Sequence, residues 1–363
     1  MPRELADPAA VGVHPGRLRV LLERVRQDVE HGPLPSAQIA VARSGRAVAF
    51  ETYGEATPAT RYVTQSAGRP LLAACAWKLM SDGLLDVDQS VASVIPDFGA
   101  NGKGGVTYRH VLTHTGGFPM APIRYPAMRD RSERLRAMAT WRLTSEPGTV
   151  MQYHLTSAAW VVAETVEALT GMPLKDYLRT VISDPLGLDL ELGVPPERQP
   201  GTVAPIVAIG DLPEGWEPDP WGPWFFRDPE VLAAGEPSHT ICSTALDTVL
   251  LFQAAYHTDL FDPEVVAFAT RKVMELPMQG DYGGRGQMAA KGLFVNIEGP
   301  ATASQSTWGH SGAPSSLTWH DPEADLSVAF YNNGYPVTGY DVGRSGRNRS
   351  TVVSTLAGDV IDD

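Results

Sequence analysis

The sequence has little cysteine and no excess of positive charge, and both deficits exclude classes of protein. Its 363 residues include only two cysteines, Cys75 and Cys242, so we expect free thiols and not a disulfide framework. The 29 lysine and arginine residues are outnumbered by 42 aspartate and glutamate residues, which gives a formal net charge of −13. Because nucleic acids and anionic membranes both attract a cationic surface, we expect neither as a partner.

Long apolar runs and metal-binding motifs are also missing. No stretch approaches the roughly 18 unbroken apolar residues of a membrane-spanning helix. Residues 1–7 lack the charged-then-apolar pattern of an export signal, so we expect a cytoplasmic protein. The nine histidines and two cysteines form no His-x-x-x-His or Cys-x-x-Cys spacing that nearby carboxylates support. We therefore expect neither a metal site nor a cofactor.

The sequence does contain enough apolar material for a large core, and strand patterns lie near both ends of the chain. Hydrophobic residues make up 43% of the chain and charged residues 20%, the balance of a folded protein. Residues 15–31 have the apolar spacing of a helix, and the runs 37–42 and 47–53 flank Ser44-Gly45 as in a hairpin. Later patterns predict strands at 291–295, 316–320 and 326–332 and a closing helix at 352–361.

Helical patterns occupy the middle of the chain. The run 71–85 is apolar almost all round, which is typical of a buried helix, and further helices are predicted at 106–112, 129–140, 157–169 and 244–256. Strands at both ends with helices between them predict an α+β fold, in which terminal helices flank an antiparallel sheet and a mainly helical region is inserted. We expect residues 1–65 and 235–363 to form a sheet domain and 66–234 a helical domain, with the active cleft between them.

The segment 192–240 is rich in proline, glycine and tryptophan and has weak periodicity. A loop of this length in a compact domain is usually functional or a lid. Scattered aromatic residues are often core anchors, whereas aromatic residues clustered in one loop favour the wall of a pocket for an apolar or aromatic group of a small-molecule substrate. The residues concerned are Trp216, Trp221, Trp224, Phe225 and Phe226.

The stretch 64–70, Thr-Gln-Ser-Ala-Gly-Arg-Pro, joins a strand-like run to the buried helix and presents a small hydroxyl at the junction. Ser66 is either a nucleophile or a cap or loop serine without a chemical role. Pro70 suits the first turn of a helix and has no amide that could bond back to residue 66. If the helix begins near Pro70, Ser66 and Arg69 need not lie on one helix face.

Several motifs, in order along nearly the whole chain, favour the nucleophile. They are Gly83-Leu-Leu-Asp-Val-Asp88 with Ile95-Pro-Asp-Phe98, Val106-Thr-Tyr-Arg-His-Val-Leu-Thr-His-Thr-Gly-Gly-Phe118, Glu146-Pro-Gly-Thr-Val-Met-Gln-Tyr153, Asp184-Pro-Leu-Gly-Leu188 and Trp308-Gly-His-Ser-Gly-Ala313. On these motifs the chain resembles the serine β-lactamases and penicillin-binding proteins, most nearly the branch of class C β-lactamases, D-aminopeptidases and cytosolic carboxylesterases. The resemblance implies a β-lactamase-like fold and an acyl-enzyme formed on a serine.

The first motif of that superfamily is Ser-x-x-Lys, in which the lysine helps to take the proton of the serine. The matching residues here are Ser66 and Arg69, so the serine is kept and the lysine is replaced. A guanidinium has no acceptor and stays protonated, so Arg69 cannot be a general base. It could supply positive potential, hold a substrate carboxylate, or serve as a salt-bridging scaffold residue.

The second and third motifs implied by the resemblance are Tyr-x-Asn and a Lys- or His-x-Gly on an edge strand. Tyr153-His-Leu155 keeps the tyrosine and replaces the asparagine, while His310-Ser-Gly312 matches the histidine form. With Arg69 close by, the phenolate form of Tyr153 would be favoured and could serve as base for the serine. The resemblance also implies an oxyanion hole made by the backbone N–H groups of Ser66 and Ala313.

Two classes of function follow from this pattern. The first is a serine hydrolase or acyltransferase acting on a small ester, thioester or amide through Ser66, with Tyr153 as proton carrier. The second is a homologue with altered chemistry, either a catalyst of isomerisation, cyclisation or elimination or a ligand-binding pseudoenzyme, in which Arg69 holds an anionic group. True β-lactamase activity is disfavoured because the lysine and asparagine are both lost, and the oligomeric state is left open.

Overall fold

The computed structural model describes residues 1–210, 214–217, 223–280, 286–313, 315–337 and 347–361. Its helices are α1 Pro15–Glu30, α2 Arg69–Ser81, α3 Tyr108–Leu112, α4 Arg131–Thr140, α5 Ser157–Thr170, α6 Leu174–Tyr177, α7 Asp184–Leu186, α8 Pro229–Ala234, α9 Ala245–His257, α10 Pro263–Ala269 and α11 Arg347–Gly358. Its strands are β1 Ser36–Arg43, β2 Arg46–Gly54, β3 Tyr62–Val63, β4 Met151–Gln152, β5 Glu191–Leu192, β6 Val207–Ile209, β7 Ile241–Ser243, β8 Met274–Gln279, β9 Met288–Lys291, β10 Asn296–Ile297, β11 Trp308–Gly312, β12 Ser316–Asp321, β13 Leu326–Asn332 and β14 Gly334–Pro336.

Within the described residues, strands from both ends of the chain join in a nine-stranded sheet, in the order β2-β1-β13-β12-β11-β10-β9-β8-β4. Strand β1 pairs antiparallel with β13, so Ile39 lies opposite Phe330. All neighbours in the sheet are antiparallel except β4 and β8, which run parallel. The α+β fold predicted from the sequence, with a sheet built from both chain ends, is therefore confirmed.

The predicted hairpin at the amino-terminal end of the sheet is also confirmed. Its two-residue turn consists of Ser44 with φ 52° and Gly45 with φ 75°. Positive φ at both central residues is the type I′ geometry that matches the twist of paired strands. The turn chemistry and the apolar runs on either side of it are therefore sufficient to specify β1 and β2.

Strand β1 is covered on both faces, which explains why seven of its eight residues are buried. Because successive strand side chains point to opposite faces, Ile39 and Val41 pack in one core with Leu21 of α1 and Val353 of α11. Ala40 and Ala42 belong to the larger core, whose members include side chains of α2, α5 and α9. Helix α2 is buried almost all round, as its sequence predicted.

Three local predictions were wrong or incomplete. The expected strand 291–295 is instead the end of β9 followed by a turn, in which Phe294 has φ 68° and Gly292 N–H donates to the Val295 carbonyl oxygen. The closing helix begins earlier than predicted, at Arg347, and ends at Gly358. The long segment 192–240 contains β6 and α8, and β6 pairs parallel with β14. No helix among the described residues is long and apolar enough to cross a membrane.

Candidate active site

Ser66 lies in a tight turn that leads directly into α2. Residues Gln65–Gly68 form one 3₁₀ turn, and the Arg69 amide donates to the Ser66 carbonyl oxygen at its end. The turn is fastened to the strand β7 segment, because the Thr64 amide and hydroxyl both donate to the Ile241 carbonyl oxygen at 3.0 and 2.9 Å. Helix α2 therefore begins at Arg69, and Ser66 precedes it.

Two backbone features give this turn its shape. Gln65 has φ 52°, a left-handed conformation that is uncommon for a residue other than glycine and is found preferentially at functional sites. A Cβ atom on Gly68 would lie 1.9 Å from Thr64 Oγ1, so only glycine fits there. The sequence around the serine thus specifies a strained, closely packed turn and not a regular first helical turn.

Tyr153 meets Ser66 across the site. Its hydroxyl donates a hydrogen bond of 3.1 Å to Ser66 Oγ, although the two residues are 87 positions apart in the sequence. Tyr153 follows β4, which pairs in parallel with the end of β8. The predicted serine and tyrosine are therefore brought into contact.

Arg69 also reaches Tyr153, so the serine and the arginine converge on one tyrosine even though only Arg69 belongs to α2. The guanidinium carbon lies 4.5 Å from the centroid of the Tyr153 ring and 5.1 Å from that of Phe294. Nη2 donates to the carbonyl oxygens of His154 and Leu155. The side chain is fully buried, and its Nε and Nη1 have no hydrogen-bond partner among the described residues.

Leu155 contributes to this arrangement through its backbone. The sequence placed its side chain in the substrate site in the position of the motif asparagine, whereas the observed polar contact is made by its carbonyl oxygen with Arg69. The half-buried leucine side chain has no polar group with which it could orient a substrate amide.

Two buried histidines, which the sequence did not assign to the site, frame Tyr153. The His114 ring centroid is 4.8 Å from that of Tyr153, and its Nδ1 accepts from the His154 amide at 3.2 Å. His154 Nε2 accepts from the Phe118 amide at 3.2 Å, and its Nδ1 donates to the Gln152 carbonyl oxygen. Burial lowers the pKa of His154 to about 4 and lowers that of His114 well below its ordinary value, with Arg69 adding to both shifts.

Strand β11 closes the site on the other side of the serine turn. A Cβ atom on Gly312 would lie 2.6 Å from the Ala67 backbone nitrogen, and Thr318 Oγ1 of the neighbouring strand donates to the Ala67 carbonyl oxygen at 2.8 Å. The close approach of Gly312, which immediately precedes Ala313, holds the end of β11 against the turn that carries Ser66. Only glycine at position 312 permits this approach.

The prediction that this strand is an edge strand was wrong, because β11 lies between β12 and β10. The pairing with β10 stops at Gly309, however, so the half of β11 that includes His310 is paired through β12. The His310 ring centroid is 5.8 Å from that of Tyr153. Its Nδ1 donates to the Ser311 carbonyl oxygen at 2.6 Å, and its buried Nε2 has no partner in the part of the chain that the structure describes.

An aromatic cluster lies next to Ala313. Trp224 and Phe225 are half-buried and pack with Ala313 against a buried group made of Ile206, Phe226, Val231 and Tyr335. The Tyr335 hydroxyl donates to the Ala313 carbonyl oxygen at 3.2 Å. Trp221, which was assigned to the same wall, lies outside the described residues. Cys242 is fully buried in β7, and burial raises the pKa of its thiol to about 12.

Lys291 is a further residue near the site that the sequence did not assign to it. It ends β9, is 4% exposed, and places Nζ 6.0 Å from the centroid of the Tyr153 ring. Nζ donates to Asn296 Oδ1. Burial lowers the pKa of Lys291 to about 8, with Arg69 adding to the effect and Glu298 opposing it. The sequence signal was a lone lysine at the start of an otherwise apolar run.

Comparison with known proteins shows the family to which the chain belongs. A family model described as Beta-lactamase matches residues 21–352. The chain is 32% identical to the "Esterase/beta-lactamase LipL" of Mycobacterium tuberculosis over 154 residues, which are 40% of this chain and 34% of that protein. It is 27% identical to the "Putative D-alanyl-D-alanine carboxypeptidase" of Salmonella agona over 294 residues, 70% of this chain and 65% of that protein.

Solved structures agree on the fold. The crystal structure of a penicillin-binding-protein homologue from Caulobacter crescentus superposes with a TM-score of 0.79 at 24% identity, covering 95% of this chain and 98% of that one. The chain spans about a third of the first curated relative and just under two thirds of the second. The match to the family model covers most of the chain, and the chain therefore belongs to the beta-lactamase family, whose fold it shares.

Proposed function

We propose that this protein is a serine hydrolase or acyltransferase that acts on a small ester, thioester or amide through Ser66. Ser66 Oγ attacks the carbonyl carbon and forms an acyl-enzyme, and water or an acceptor alcohol or amine then removes the acyl group. Tyr153 carries the proton from Ser66 Oγ to the leaving group. The observation that carries this proposal is the 3.1 Å hydrogen bond between the two hydroxyls.

The surroundings of Ser66 support an acyl-transfer role. The Ser66 and Ala313 amides are the proposed oxyanion hole, and the close approach of Gly312 to the Ala67 nitrogen favours this pairing. Backbone N–H groups fixed in this way stabilise the negative oxygen of a tetrahedral intermediate. His310 is proposed to border the same space, since its ring packs against Tyr153 and its Nε2 has no partner among the described residues.

The substrate class is proposed from the walls of the site and from the relatives. Trp224 and Phe225 beside Ala313 favour an apolar or aromatic acyl or leaving group. LipL is described as an esterase and the Salmonella protein as a carboxypeptidase, and both names denote cleavage of a carbonyl derivative. An ester with an aromatic leaving group is therefore the first substrate to test.

The role proposed for Arg69 is electrostatic. Its guanidinium is fully buried against the face of Tyr153 and is bonded to backbone carbonyl oxygens. A fixed cation at this place favours negative charge on the Tyr153 oxygen while that oxygen transfers a proton. This arrangement supports a supplier of positive potential more than a clamp for a substrate carboxylate.

Intact-mass analysis after exposure to a fluorophosphonate or to p-nitrophenyl acetate tests the proposal. We expect one added phosphonyl or acyl group in the wild type and in Ser311→Ala, whose exposed hydroxyl is a nearby control. We expect none in Ser66→Ala. The absence of any adduct in the wild type would contradict the proposal, as would an adduct that persists in Ser66→Ala.

A second candidate function is favoured by one observation, the arginine at the position of the motif lysine. The cleft would then bind an anionic ligand, or catalyse an isomerisation, cyclisation or elimination in which Ser66 only donates or accepts hydrogen bonds. The two guanidinium nitrogens without partners among the described residues are the groups that an anion would meet. A product isomeric with its substrate and still formed by Ser66→Ala would establish this function, as would an adduct that appears only in Arg69→Lys.

A further inference from the structure

The residues at the family-motif positions do not account for every proton transfer that occurs when Ser66 is acylated. The Tyr153 hydroxyl donates to Ser66 Oγ, so Tyr153 can accept the serine proton only as it passes its own proton to another group. Arg69 lies against the Tyr153 ring but has no acceptor atom. The position of the motif asparagine holds Leu155, whose side chain cannot accept a proton. If acylation proceeds stepwise through a tetrahedral intermediate, a third group has to hold the proton until the leaving group takes it.

Lys291 is a buried amine beside Tyr153, on a strand far from the motif position. Its Nζ is 6.0 Å from the Tyr153 ring centroid, and its charge is felt at both His114 and His310, where it lowers the pKa of each ring. The lysine therefore belongs to the same cluster as Tyr153 although it lies on β9. An amine, unlike a guanidinium, has a lone pair when it is neutral.

Asn296 holds the Lys291 amine in place. The two residues are directly opposite each other in the pairing of β9 with β10, and Nζ donates to Asn296 Oδ1. Asn296 Nδ2 in turn donates to Glu298 Oε1 at 2.8 Å. Within the described ranges Lys291 forms no ion pair with a carboxylate, so its hydrogen-bond partner orients it without neutralising its charge. Positions 69 and 155 lack the lysine and asparagine of the family motifs, whereas Lys291 of β9 and Asn296 of β10 form a lysine–asparagine pair.

We propose that Lys291, oriented by Asn296, is the proton acceptor behind Tyr153 when Ser66 is acylated. This inference rests on the function proposed above. As Ser66 Oγ bonds to the carbonyl carbon, its proton passes to the Tyr153 oxygen and the Tyr153 proton passes through a bridging water to the neutral Nζ, which becomes an ammonium. When the tetrahedral intermediate collapses, the carbon–leaving-group bond breaks and the proton returns through Tyr153 to the leaving oxygen, sulphur or nitrogen. The amine is then neutral again and no proton is lost.

The charges around Lys291 agree with this role. Its amine lies near the Tyr153 ring, and its charge interacts with those of Arg69 of α2, Glu298, His114 and His310 of β11. Burial and Arg69 together outweigh Glu298, so the pKa of about 8 makes the neutral amine accessible near neutral pH. A general base is most effective when its pKa lies near the working pH.

His310 is the competing acceptor. Its Nδ1 donates to the Ser311 carbonyl oxygen, which leaves the Nε2 lone pair directed toward buried space. Burial, Arg69 and Lys291 lower its pKa well below the ordinary value for histidine. A ring with so little affinity for a proton can accept a hydrogen bond but is a weak base, so the lysine is favoured.

The test measures the rate of Ser66 labelling by a fluorophosphonate, or of p-nitrophenyl acetate hydrolysis, as a function of pH in the full chain. In the wild type we expect the rate to rise with pH and level off above about 8, because the neutral amine is required. Lys291→Met and Lys291→Arg should both be slower by about 10²-fold or more, since neither has a lone pair of suitable basicity, and both should lose the rise with pH. Lys272→Met, which alters an exposed lysine paired with Glu275, is the matched control and should match the wild type.

The outcomes distinguish the inference about Lys291 from the proposed function. If the wild type labels at Ser66 while Lys291→Met keeps the wild-type rate and pH profile, the inference about Lys291 is wrong and the proposed function stands. Full activity in Lys291→Arg would also overturn it, since positive charge alone would then suffice. If the wild type forms no adduct and shows no hydrolysis, the proposed function and the inference fail together. A thermal-unfolding scan of each variant shows whether a slow rate reflects loss of the fold.

Discussion

Replacing Lys291 by methionine should make the protein more stable at neutral pH. Lys291 is 4% exposed, and its pKa falls from 10.5 to about 8 in the folded protein. At about 1.4 kcal/mol per pKa unit, holding the ammonium in this place costs about 3 kcal/mol below pH 8. Methionine has a similar length and removes that cost.

Part of this gain in stability is offset because Asn296 Oδ1 loses the hydrogen bond that Lys291 Nζ donates to it. A lost hydrogen bond costs about 1 kcal/mol, so we expect Lys291→Met to raise the free energy of unfolding by about 2 kcal/mol at pH 7. Between pH 8 and 10.5 the unfolded chain binds more protons than the folded protein, so the wild type gains stability as pH rises. The advantage of the variant should therefore shrink by about 2 kcal/mol between pH 7 and pH 10.

Urea unfolding of both proteins at pH 7, 8, 9 and 10 measures these differences. Lys272→Met, at an exposed lysine paired with Glu275, should change the free energy of unfolding by less than about 0.5 kcal/mol at every pH. A variant at position 291 that is less stable than the wild type at pH 7 would refute the reasoning. A difference independent of pH would refute it as well, because it would mean that the lysine keeps its ordinary pKa in the folded protein.

Three further substitutions have defined outcomes. Tyr153→Phe should slow acylation of Ser66 by about 10²–10⁴-fold with little change in the melting temperature, and wild-type labelling rates in this variant would exclude a proton-transfer role. Gly312→Ala should slow labelling by about 10–100-fold, because a Cβ 2.6 Å from a backbone nitrogen displaces β11 from the serine turn; an unchanged rate would show that this contact does not set the site. Glu164→Gln should lower the free energy of unfolding by about 3 kcal/mol, because its fully buried carboxylate pairs with two arginines. The control Glu133→Gln, at an exposed ion pair, should lower it by less than about 0.5 kcal/mol. Equal losses of the two variants in urea unfolding would contradict the argument from burial.

Where local chemistry decides the structure, the sequence was sufficient. The type I′ turn at Ser44-Gly45 and the apolar runs beside it specify β1 and β2, and the apolar circumference of α2 specifies its burial. The order of motifs along the chain also led to the correct fold. The turn and the helix can be predicted from a few neighbouring residues, and the fold from a resemblance that spans the chain.

The residues of the site could be predicted only in part, because contacts between segments far apart in the sequence bring them together. Ser66 and Tyr153 were identified by motif, and the structure brings their hydroxyls together. His154 and Lys291 were missed since no local pattern shows that β4 pairs with β8, or that β9 ends beside Tyr153. The first residue of α2 could not be predicted either, because Gln65 adopts a positive φ that no residue propensity indicates.

The central claim is that Ser66 is a nucleophile, and mapping the fluorophosphonate adduct tests it most directly. Trypsin cleaves after Arg61 and Lys78 but not between Arg69 and Pro70, so one peptide, residues 62–78, carries Ser66 as its only serine. We predict that the added mass lies on this peptide and that fragmentation assigns it to Ser66. An adduct on another peptide, or none under conditions in which a serine esterase is fully labelled, would contradict the claim.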